Sequence, residues 1–138
     1  MQIKEIPNED ILALMDLAVK MYKSIDPTIN EFGAINTLVN DINTQSDFIA
    51  IGLYDDYDNL VGFVTGHCFN KKMFHFSGIY VIIKNNKWTQ QLIEHCFALV
   101  AEKGYSAWSV DATNGNISSI MEKYGATAKY TRYVKEIG

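Results

Sequence analysis

The chain predicts a mixed α/β fold, a single sheet with antiparallel and parallel pairs and helices on both faces. Three observations carry this. Apolar periodicity alternates between helical and strand spacing along all 138 residues. Met73–Ile83 is rich in aromatic and β-branched residues and almost continuously apolar, as a strand covered on both faces should be. That strand leads through a polar loop, Lys84–Trp88, into an amphipathic helix from Thr89. A whole helix then separates it from the next strand, so the two should lie parallel and joined by a right-handed crossover.

Taken in order, Gln2–Ile6 alternates as an edge strand until Pro7-Asn8 breaks it, and Asn8 or Asp10 can cap the helix that follows. Ile11, Leu14, Met15, Ala18, Tyr22 and Ile25 share one face of that helix, which Asp26-Pro27 ends. Thr28-Ile-Asn-Glu31 reads as a capping box opening a second helix with Phe32, Ile35, Val39 and Ile42 on its stripe. Phe48–Tyr54, an acidic turn over residues 55–59, and Leu60–Phe69 form an antiparallel hairpin, and Asn70–Lys72 turns into the strand from Met73. The helix from Thr89 puts Leu92, Ile93, Cys96, Phe97 and Val100 on one stripe and stops at Lys103-Gly104. Tyr105–Asp111 is a strand, residues 113–116 turn into a short helix ending at Gly125, and Thr127–Ile137 closes the chain as a strand. The order is β-α-α-β-β-β-α-β-α-β.

The length suits one domain, residues 1–138, with no linker. A net charge of −4 gives no footprint for nucleic acid. No apolar run approaches the roughly 20 residues of a membrane span, and the N-terminus lacks the basic-then-apolar block of a signal peptide, so the expected location is cytoplasmic. Cys68 and Cys96 have neither CxxC nor metal spacing and read as buried reduced thiols.

Two short motifs, together with that element order, resemble the GNAT superfamily of acetyl-CoA-dependent N-acetyltransferases. The hairpin Ile51–Phe63, with its acidic turn and Val-Gly-Phe, is similar to the family's paired strands. Asn114–Ala126, an Asn, a short helix and Glu-Lys-Tyr-Gly, matches the spacing of its last helix. The resemblance implies a GNAT-like acyl-CoA N-acyltransferase fold in which two middle strands part, leaving a slot beside residues 81–89 for a phosphorylated pantetheine tail. It implies acetyl-CoA as cofactor, no metal, and acetyl transfer to a small-molecule or protein amine. By the same likeness, backbone near Val81 and Ile82 would hold the thioester. Lys84, Asn86, Lys87, Thr89 and Gln90 would contact the phosphates, with Asn114 a further cofactor contact.

The chain also departs from the pattern. The family places glycines in the phosphate loop, whereas no glycine stands here between Gly78 and Gly104. Asn85 and Asn86 are the partial substitutes, because asparagine tolerates left-handed backbone. The family's tyrosine acid falls on Met121; Tyr124, one turn on, lies about 60° around the helix. On the central strand only His75, Ser77 and Tyr80 offer polar chemistry, and His75 is the candidate base because imidazole titrates near neutral pH. The closing strand hairpin is truncated to one strand. Catalytic candidates are therefore His75, Tyr80 and Tyr124. The alternative is an inactive GNAT-fold module acting as a binding or structural protein, such as a tailed-phage virion component. Tyr54, Tyr57, Tyr130 and Tyr133 then offer an aromatic surface for a protein partner or a second copy.

Overall fold

The computed structural model describes residues 1–111, 115–127 and 135. Five strands are present among them: β1 (Gln2–Glu5), β2 (Ile49–Tyr54), β3 (Leu60–Cys68), β4 (Met73–Val81) and β5 (Ala107–Val110). They lie side by side in sequence order, antiparallel except for the parallel pair β4 and β5. The expected last strand falls on residues largely outside those described.

Helix α1 (Ile11–Ile25), preceded by a single helical turn at Asn8–Asp10, and α2 (Glu31–Thr44) cover one face. There Leu14, Leu17, Ala18 and Met21 pack with Leu38 and with Phe63 of β3. Helix α3 (Asn86–Glu102) covers the other, where Leu92, Cys96 and Val100 meet Val64, Phe74 and Phe76. Helix α4 (Gly115–Lys123) adds Ile120 and Met121 against Ile93. Gly125, at φ 82°, ends the turn after it.

Three local expectations are corrected. Asn30, not Thr28, caps α2, its side-chain oxygen accepting from Gly33 N at 2.6 Å, while Thr28 is held by Asp26. Helix α3 begins at Asn86, three residues earlier than predicted, because the Asn85 carboxamide caps it. Ile25 and Phe32, placed on apolar stripes by spacing, are 50% and 74% exposed; Leu17 and Met21, and Ala34 and Leu38, take the inward positions. The helices roll relative to the ideal stripe because their contacts on the sheet, not mean periodicity, decide which residues face inward.

The feature that shapes the sheet lies in β4. Thr65 pairs with Gly78 but the next β3 residue, Gly66, pairs with Phe76, so Ser77 is an extra residue and β4 carries a bulge. A bulge bends its strand and raises the local twist. Pairing with β5 runs from Met73↔Ala107 to Phe76↔Val110 and goes no further, so β4 continues from Ser77 to Val81 with no described strand on that edge.

Gly66, opposite the bulge, has no room for a side chain: a Cβ there would sit 2.8 Å from the carbonyl oxygen of His75. Gly66→Ala should therefore lower unfolding free energy by about 1–3 kcal/mol, read from the urea midpoint.

Candidate functional site

The open edge of β4 has a defined polarity. Ile82 N donates to Val61 O at 2.9 Å, which makes Gly62 and Val81 a non-hydrogen-bonded pair. Phe63 and Tyr80 are then the bonded pair, and the N–H and C=O groups of Ile79 and Val81 point away from β3, toward the side β5 has left. Their side chains pack into the α3 core. The Val81 amide thus faces the side away from β3. The Ile82 amide is held by β3.

On the opposite face of the sheet, below the gap, a small solvent-open cleft lies between α1 and the strands β4 and β5. Met21, Tyr22 and Ile25 wall it on one side, Ser77, Gly78 and Asp111 on the other. Ser77 Oγ lies 3.2 Å from Thr65 Oγ1. A Cβ on Gly78 would come within 2.9 Å of that Thr65 oxygen and 3.2 Å of Met21 Cε, so glycine lets α1 seat against the bulge. Burial, and then the Asp41 charge, raise the Tyr22 hydroxyl above its ordinary pKa.

His75 sits where β4 and β5 are still paired, its register partner being Ser109. Its Nδ1 is 2.8 Å from Ser109 Oγ, and its Nε2 lies 3.7 Å from the Asp111 carboxylate at the cleft. The imidazole is 20% exposed and the Asp111 side chain 59%. His67, across on β3, meets the His75 ring edge-on at 5.5 Å. His67 Nδ1 is buried without a partner among the described residues. Burial, and next the charge of His75, depress the His67 pKa below 6.5, with Asp41 opposing. Tyr80 packs beside Phe63 in the α1 core, ring centroids 6.4 Å apart.

The start of α3 is closed. Asn85 N donates to Ile83 O at 2.8 Å, Lys87 N to Asn85 Oδ1 at 3.0 Å and Trp88 N to Asn85 O at 3.2 Å. Thr89 is buried, Gln90 accepts from Lys123 Nζ at 3.3 Å, and the Lys87 ammonium lies 5.4 Å from the Trp88 ring centre. Lys84, Asn86 and Lys87 are exposed. Tyr124 donates its hydroxyl to Glu94 of α3, which pushes its pKa up to about 12, and it stacks edge-on against Phe97. Met121 is buried. Asn114 lies outside the described residues.

The fold sets His75, Tyr80 and Val81 on β4, His75 where β5 still pairs with it and Tyr80 and Val81 beyond that pairing, and holds Tyr124 against α3. Sequence reasoning missed Ser77 and Gly78 as the bulge, and Ser109 and Asp111 as partners of His75. The Ser-Gly interruption of an otherwise apolar strand was the available signal for the first pair. For the second there was none, since residues 34 positions apart meet only through the parallel register.

No protein-family model matches the sequence, and no curated protein matches it. Solved structures do match in fold. A putative acetyl transferase from Pyrococcus furiosus superposes with a TM-score of 0.80 at 15% identity, covering 99% of each chain. A ribosomal-protein-alanine N-acetyltransferase from Brucella melitensis biovar Abortus 2308 gives 0.74 at 18% identity, over 99% of this chain and 100% of that one. The aminoglycoside N-acetyltransferase AAC(6')-Iy, solved in complex with CoA, gives 0.70 at 15%, over 99% and 95%. The architecture is the GNAT acetyltransferase fold.

The depressed pKa of His67 makes stability depend on pH. The unfolded chain takes up a proton near pH 6.5 that the folded chain resists, so this contribution is present above that pH and lost as pH falls. The urea midpoint should drop between about pH 7.5 and about pH 5.5, and His67→Gln should narrow the drop.

Proposed function

We propose that this protein transfers an acetyl group from a pantetheine thioester, acetyl-CoA being the accessible example, to a primary amine. One observation carries the reading. The outward-facing amides of Ile79 and Val81 run along a strand edge that no described strand covers, beside the cleft lined by Asp111, whose carboxylate lies 3.7 Å from His75. An extended arm bearing amide groups can lie on such an edge as an added strand. The cleft beneath would receive the acceptor from the α1 side. The solved neighbours support the class of reaction: each of the three is described as an acetyl transferase, and one was solved with CoA.

In this reading Asp111 draws in the ammonium group and His75, 3.7 Å from that carboxylate, takes up its proton. The freed nitrogen bonds to the thioester carbonyl carbon, the carbon–sulfur bond breaks, and the second proton of the nitrogen passes through water to the departing sulfur, which leaves as thiol. Amides at the bulged edge stabilise the oxygen as it gains charge. Ser109 fixes the imidazole through Nδ1, turning Nε2 toward Asp111. Tyr124, bonded to Glu94, is left to packing, and no side-chain acid is required.

Thiol release from acetyl-CoA across a panel of primary amines tests the reading. His75→Gln should lower kcat by about 100-fold or more with little change in donor KM, whereas Asp111→Asn should chiefly raise the KM for the amine. Neither turnover nor donor binding would leave a binding or structural module on the same fold.

A further inference from the structure

We infer that the donor is selected through its pantetheine arm, with the nucleotide end of coenzyme A held by no built contact among the described residues, so that acetyl thioesters of pantetheine at large are substrates. This rests on the reading of the β4 edge as the donor slot and narrows what that slot recognises.

A helix start normally leaves four amides open, and these hold a phosphate when they converge on it. At the start of α3 three of the four are engaged within the chain, by Ile83 O, by the Asn85 carboxamide and by Asn85 O, at 2.8, 3.0 and 3.2 Å. A pyrophosphate would have to displace the cap that begins the helix. Nor can the preceding loop form a concave set of amides. Such a nest needs left-handed backbone, and no residue between Gly78 and Gly104 has positive φ or is a glycine. Two independent features, the cap and the backbone hand, therefore close the same place.

Among the described residues, the side chains nearby do not compensate. Thr89 is buried and Gln90 is bonded to Lys123. What remains is the exposed ammonium groups of Lys84 and Lys87, and such charges are screened by salt and contribute little to affinity. The edge at Ile79 and Val81 is in the opposite condition, offering a donor and an acceptor at each of two alternate residues. Recognition is concentrated on the arm.

Calorimetric titration of the whole chain with coenzyme A and, separately, with pantetheine tests this without requiring turnover. The dissociation constants should agree within about tenfold, the most that screened lysine contacts would add. A preference for coenzyme A beyond that overturns the inference and leaves the slot in place. Binding of neither overturns the inference together with the slot.

Discussion

The whole arrangement depends on β4 and β5 ceasing to pair after Phe76 and Val110. Parallel strands in a buried sheet ordinarily continue together, because every backbone amide withdrawn from water needs a partner. Here Ser77 enters as an extra residue, the strand bends, and the amides of Ile79 and Val81 face a side with no strand among the described residues. An edge of that kind invites another strand-like chain. A gap in the sheet thus presents an edge whose chemistry is that of the backbone.

The bulge has to be held from both faces. On one, Met21 of α1 presses on Gly78, where a side chain would collide with Thr65. On the other, Ile79 and Val81 anchor into the α3 core with Phe76 and Leu92. Further along the same hairpin, Tyr54 is buried and donates to Asp10 at 2.8 Å, tying the entry of α1 to β2. Burial and then that hydrogen bond raise the Tyr54 hydroxyl well above its ordinary pKa. These contacts keep α1 at the height where Tyr22 and Ile25 wall the cleft. Rigid placement matters because small displacements of a reacting group are costly in rate.

The start of α3 shows a competition between two uses of the same atoms. A helix can spend its first amides on an anion or on its own cap, and Asn85 takes the second course. The capped start adds stability by itself and leaves less for a ligand. That trade sets the end of β4, whose backbone groups at Ile79 and Val81 face away from β3, apart from the start of α3, whose amides turn inward.

Much of this was legible in residue order. The element order, the β2–β3 hairpin, the parallel return of β5 and the importance of β4 follow from apolar spacing and turn residues, which are local properties. His75 and Val81 stand on a strand that announces itself by its apolar run. The register was not legible, and with it went the bulge at Ser77, the meeting of His75 with Ser109 and Asp111, and the loss of Ile82 to β3. The cap moved from Thr28 to Asn30, and Asn85 closed α3, because side-chain competition for a few amides is settled by backbone angles at each terminus. Sequence alone determined which segments become strands and helices, since hydrophobic period and turn chemistry act over a few residues. Tertiary structure decided which edge stays open and which polar groups meet across it, since these depend on register between segments distant in the chain.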